Sequence, residues 1–183
     1  SADVSGVLRA LKKLFGTDGD IKPIADALGS DCGYMLRGGT ARIRGRGEIV
    51  TPCERDLDGY AVIVYAENGV SAKDCYAAFD ETTVEYNKAD NAAAVRAAET
   101  GDFYALCKTV SNGLTAAAEK LNPEITVNLD RLRRLSPSAY AVTGSGSCVF
   151  ALYETKELCE WAASKLKSDG ADCEVVKFVP RYE

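Results

Sequence analysis

The run Tyr60-Ala-Val-Ile-Val-Tyr65 limits the fold more than any other stretch of this chain. A near-continuous apolar run of this kind reads as a strand central in its sheet. Helical patterns follow at 71–80, 89–99, 101–120 and 128–135, the third broken at Ser111-Asn112-Gly113. Strands at 139–143 and 147–153 are joined across Gly144-Ser145-Gly146, Leu158, Trp161, Ala162 and Leu166 stripe a helix, and Cys173 to Val179 closes as a strand. This uneven alternation predicts an α+β sandwich with helices on one sheet face.

Upstream, Val4, Val7, Leu8, Leu11, Leu14 and Phe15 follow the helical stripe up to Gly16, and Pro23 to Leu28 reads as a short helix stopped by Gly29. Ser1 and Asp3 stand where caps and anions belong, so the chain enters its first helix at once and upstream sequence is expected. Arg42, Arg44, Arg46 and Glu48 are two apart and share one face if the segment is a strand, either as a solvated face or as a positive wall. Residues 53–59 read as a connection between two units.

Composition narrows the chemistry. The 183 residues contain no histidine, which removes Ser-His and Cys-His catalysis and His-containing zinc sites together. The seven cysteines are odd in number and never spaced as CxxC, the pattern of reduced, buried thiols in a cytoplasmic protein. A net charge of −5 argues against nucleic acid as a partner, and no apolar run is long enough for a membrane span.

Within those limits Asp31, between Gly29 and Gly33, is either a turn former or a carboxylate presented to a substrate hydroxyl. Gly144-Ser145-Gly146-Ser147 is either a hairpin turn or an anion nest of backbone N–H groups. Tyr76 either fills the core or stacks on a base. Arg131, Arg133 and Arg134 read as a solvated helix face.

Three segments taken in order carry a resemblance. SADVSGVLRALKKLFG (1–16) resembles the helix after the glycine-rich phosphate loop of the GHMP small-molecule kinases. LGSDCGYMLRGGTARIRGRGE (28–48) resembles their GADVPFCLxGGTAxxxGxGE stretch, and AVTGSGSCVFALY (141–153) resembles their third motif. The segment GVSAKDCY (69–76) is similar to the one that follows the first strand of their C-terminal domain. The match spans nearly the whole chain.

The resemblance implies an α+β protein in which residues 1–55 are the remainder of a ribosomal-S5-domain-2-like lobe and residues 56–183 a ferredoxin-like C-terminal lobe. It implies ATP and Mg²⁺ as cofactors and a cytidine diphosphate-linked polyol, an isoprenoid precursor, as small-molecule substrate. By position Asp31 matches the aspartate beside the acceptor hydroxyl, and Ser1 the serine that meets phosphate and Mg²⁺. Gly144, Ser145 and Gly146 match the motif against the phosphate loop, and Tyr76 an aromatic that stacks on cytosine. The family's catalytic Lys and loop glycines would precede Ser1, so the chain alone is expected to be inactive.

Three departures stand out. Cys32-Gly33-Tyr34 replaces Val-Pro-Phe, which loosens the turn holding Asp31; Asp3-Val4-Ser5 replaces Asp-Ala-Ala; and Ala72 stands where Thr is common. A kinase for another small alcohol, or a non-catalytic ferredoxin-like binding module, are the alternatives.

Overall fold

The computed structural model describes residues 1–81 and 91–182. It divides into two units, one of residues 1–58, 98–101 and the C-terminal segment from Val179, the other of residues 59–97 and 102–178.

The second unit is built on the apolar run. Strand β3 (Tyr60–Val64) lies between β5 (Val149–Tyr153) and β6 (Cys173–Lys177), and β4 (Ala139–Val142) pairs with the far side of β5. All pairs are antiparallel; Val62 stands opposite Ala151 on one side and Val175 on the other. In chain order the sheet runs second, third, first, fourth, with helices between the first and second strands and between the third and fourth. That is the split βαβ of the ferredoxin-like fold.

Pleating sends Val62 and Val64 to one face with Val149, Ala151, Tyr153 and Cys173, where they meet Cys75 and Ala78 of α4 (Ala72–Asp80) and Ala117 and Ala118 of α7 (Thr115–Leu121). Ile125 and Leu132 of α8 (Pro123–Arg134) and Cys159, Ala162, Ala163 and Leu166 of α9 (Lys156–Ser168) complete this core. The opposite face is not bare. Ala61, Ala139 and Leu152 pack under Cys107 and Phe103 of the short α6 (Phe103–Cys107), so the layer expected on one face has a small counterpart on the other. This double cover is what the unbroken run at 60–65 requires.

The helical pattern at 101–120 resolves into α6 and α7, separated around Ser111-Asn112-Gly113. Of the pattern at 89–99, residues 89 and 90 lie outside the described residues, and α5 spans Asn91–Thr100. Helix α8 begins earlier than its apolar spacing indicates because Asn122 caps it, accepting from the Glu124 N–H at 3.0 Å, with Pro123 in the first turn. On α9 the buried positions are Cys159, Ala162, Ala163 and Leu166; Leu158 and Trp161 are about half exposed. The stripe therefore sits one residue from the expected one at its start. Arg131 is no solvated side chain, since its guanidinium bonds Asp169 and the Asn128 side chain, tying α8 to the end of α9.

The first unit packs α1 (Ala2–Phe15), α2 (Lys22–Leu28) and α3 (Cys32–Arg37) together and carries a two-stranded hairpin, β1 (Ala41–Arg44) with β2 (Ile49–Pro52). Gly16 ends α1 in the left-handed conformation at φ 59°, as its sequence position predicts. Arg42 and Arg44 share the exposed β1 strand, but Arg46 and Glu48 do not: the chain turns at 45–48, and the Glu48 carboxylate accepts the Arg46 backbone N–H at 2.7 Å. Residues 32–37, for which no helical pattern is predicted, form α3.

The C-terminal segment is latched to this unit by Asp56. Its carboxylate accepts the Arg181 backbone N–H at 2.9 Å, the Arg181 Nε at 3.0 Å and the Thr40 N–H at 3.0 Å. Arg181 also donates to the carbonyls of Cys53 and Glu54, and Arg9 lies 3.7 Å over the Tyr182 ring.

All seven thiols are free, and six are buried; burial pushes Cys159 up to about 11. Among the described residues no helix is long and apolar enough to cross a membrane.

Candidate active site

Asp31 stands immediately ahead of α3, and its carbonyl accepts the Met35 N–H at 3.0 Å. Its side chain is exposed and caps nothing; among the described residues the carboxylate has neither a hydrogen bond nor an ion pair. An acceptor group left free by its own protein is available to a ligand.

What fixes this carboxylate is the backbone beneath it. The Cys32 N–H donates to the Gly29 carbonyl at 3.0 Å, closing the turn. From α1 the buried Ser5 hydroxyl donates to the Cys32 carbonyl at 2.9 Å. Two departures from the family pattern thus meet at one bond: Ser5 stands in place of Ala and holds the turn that lacks Pro. The looseness expected from Cys32-Gly33-Tyr34 is offset there. From α2, Asp26 lies so close to Gly33 that a Cβ at Gly33 would overlap its carboxylate oxygen.

Ser1 is brought to the same turn. Its hydroxyl lies 3.8 Å from where a Cβ on Gly29 would stand, and it makes no capping bond. With Asp3 in the first turn, α1 begins beside the Asp31 turn with a free hydroxyl at its end.

In the second unit the loop between β4 and β5 is held by residues that sequence reasoning did not single out for it. The Asn112 side-chain NH₂ donates to the carbonyls of Val142 and Gly144, both at 2.8 Å, while its Oδ1 accepts the Leu114 N–H at 2.9 Å. The only local signal was an Asn before a helix; that its amide reaches a loop some thirty positions away is a tertiary fact. Within the loop the Thr143 N–H bonds the Cys148 carbonyl and the Gly146 N–H bonds the Thr143 carbonyl. Gly144 and Gly146 take φ of 61° and 90°, and Ile125 and Ala118 crowd Gly146. Among the described residues the N–H groups of Gly144 and Ser145 have no partner. The segment is a hairpin turn that leaves these two adjacent N–H groups free among the described residues.

Tyr76 lies on α4, where Cys75 and Ala78 point to the core and the Tyr76 ring is 58% exposed. It fills no core. Among the described residues no group of three or more acidic or cysteine side chains forms a metal cage.

The family described as GHMP kinases C terminal matches residues 94–172. The chain is 33% identical over 157 residues to 4-diphosphocytidyl-2-C-methyl-D-erythritol kinase of Geobacillus thermodenitrificans, covering 84% of this chain and 53% of that protein. It is 37% identical over 158 residues to the protein of that name from a Nocardioides species, covering 82% and 52%. A crystal structure of 4-(cytidine 5'-diphospho)-2C-methyl-D-erythritol kinase superposes with a TM-score of 0.75 at 28% identity, over 94% of this chain and 63% of that one. Homoserine kinase from Cytophaga hutchinsonii shares the fold, with a TM-score of 0.67 at 16% identity, over 93% of this chain and 61% of that one. The chain spans about half the length of the curated relatives it matches.

Proposed function

Given that the chain carries a GHMP kinase C-terminal domain, we propose that the protein it belongs to is an ATP-dependent kinase for a hydroxyl of 4-diphosphocytidyl-2-C-methyl-D-erythritol, on the route to isoprenoid precursors. The single observation that carries this reading is the unpaired Asp31 carboxylate on a turn held from several sides. Phosphoryl transfer depends mainly on positioning and charge neutralisation, so a fixed carboxylate with no internal partner suits an acceptor hydroxyl as base or as orienting group.

In this reading the free N–H groups of Gly144 and Ser145, with Gly146 shaping the turn, take nucleotide phosphate. Ser1 contributes a hydroxyl and the helix start to phosphate and Mg²⁺. Bound Mg²⁺ would neutralise charge on the transferring phosphoryl group. Tyr76 offers a ring face to cytosine.

Two expected results test the assignment of roles. Tyr76→Ala raises KM for the cytidine-bearing acceptor by about ten- to a hundredfold, the loss of one base–aromatic stack, and leaves KM for ATP unchanged. An acceptor panel in which alcohols without a cytidine moiety react equally well would reassign the substrate. Asn112→Ala releases both carbonyls of the 142–144 segment and raises KM for ATP about tenfold, the size of a lost hydrogen-bond pair; KM for the acceptor stays within about twofold.

A further inference from the structure

We infer that Gly47 is a positioning residue for Asp31, acting through the carbonyl of Ser30. The inference rests on Asp31 being the carboxylate at the acceptor hydroxyl and adds to that reading a second element that sets its place. Gly47 is buried in the turn between β1 and β2, at φ 126°, a conformation few residues other than glycine adopt. A Cβ there would overlap the Ser30 carbonyl oxygen and crowd its carbon at 2.7 Å and the Ser30 Cβ at 2.9 Å. The carbonyl oxygen and carbon belong to the peptide bond that leads directly into Asp31. The hairpin is therefore stacked backbone-to-backbone on the residue before the carboxylate, at a distance only a missing side chain permits.

The turn that carries Gly47 is itself locked. The Gly47 N–H donates to the Arg44 carbonyl at 3.3 Å and the Glu48 carboxylate accepts the Arg46 N–H. Hydrogen bonds from the Glu48 and Arg46 backbone N–H groups hold the Glu48 carboxyl below its ordinary range. A polar pocket of about 420 Å³ opens beside this contact, lined by Asp26, Gly29, Ser30, Arg46 and Glu48 among others. Ser5 holds Cys32 on one side of Asp31 and Gly47 bears on Ser30 on the other, so the carboxylate is set from both neighbours.

Gly45 supplies an internal control. It shares the hairpin and a positive φ of 71°, but its Cβ would meet only the movable end of Glu48. The experiment measures kcat, both KM values and the Asp31 and Cys32 amide resonances in the protein that contains this chain. Gly47→Ala should lower kcat about a hundredfold, the scale of a misplacement near 1 Å, with KM for ATP unchanged and both amide resonances shifted. Gly45→Ala, which displaces only the Glu48 side chain and makes no Ser30 contact, should lower kcat no more than loss of the Glu48 lock does, about three- to tenfold. Should Gly47→Ala fail to fold, Glu48→Ala, which only unlocks the turn, should lower kcat about three- to tenfold. Unshifted amides in Gly47→Ala, or an equal loss of kcat in Gly45→Ala, would overturn the inference. Shifted amides with unchanged kcat would instead remove Asp31 from the chemistry and leave the contact standing.

Discussion

Asp31→Asn is expected to lower kcat by about 10²- to 10⁴-fold, the range for loss of a positioned proton acceptor, while KM for ATP stays within about twofold. The substitution keeps the size and shape of the side chain and removes its charge. It also leaves the supports of the turn in place, because Ser5 bonds the Cys32 carbonyl and Met35 the Asp31 carbonyl, both backbone groups. Folding should therefore be indifferent to the change, and a thermal melt within a degree or two of the parent separates chemistry from structure. The kinetics read the position of the effect: an interaction made only as the phosphoryl group transfers lowers kcat and kcat/KM together. An unchanged kcat would exclude Asp31 from the reaction, and a rise confined to the acceptor's KM would make it a binding residue.

Asp56→Asn is expected to give the largest loss of stability, with an acid dependence of determined sign. Donation from the Arg181 backbone N–H, then the Arg181 side chain, then the Thr40 N–H holds this carboxyl down at about 2, against an ordinary 3.8. A carboxyl whose folded value is depressed stabilises the fold fully above its unfolded value, and that contribution fades as pH falls from about 3.8 through about 2. The denaturant midpoints of the parent and Asp56→Asn should therefore be far apart at pH 6 and converge as pH approaches 2. Arg181 and Tyr182 lose their anchor in the variant, so their amides should exchange fastest. A gap in midpoints that is the same at pH 6 and pH 2.5 would show that the latch does not depend on the Asp56 charge.

Sequence pattern reached most of the second unit because its elements are long and strongly periodic. The central place of β3, the β4–β5 hairpin and the free, buried cysteines all follow from local composition. It did less well where short elements answer to distant contacts. Residues 32–37 are too short a stretch to read as helix from periodicity, yet α3 forms with Ser5 bonding the Cys32 carbonyl and Gly47 packed against Ser30 just before it. The spacing of Arg42 to Glu48 reads as one strand face, and only the Glu48–Arg46 bond shows the turn in it. On α9 the exposed Leu158 and Trp161 attract a stripe that the core draws through Cys159 and Ala163.

By itself, then, the order of residues determined which stretches are strands and helices, that these 183 residues supply no histidine, and which few polar positions are candidates for a role. Those properties depend on neighbours along the chain, and periodicity records them directly. Only the folded structure decided which carboxylate is free and which is engaged: Asp31 and Asp56 are both aspartates near glycines or turns, yet among the described residues one accepts no hydrogen bond and the other accepts three from two residues. The partners of Asp56 include Arg181, some 125 positions away, and the support of Asp31 includes Ser5 and Gly47. Hydrogen bonds and close backbone contacts act over about 3 Å in space without regard to separation in sequence, so no local pattern carries them.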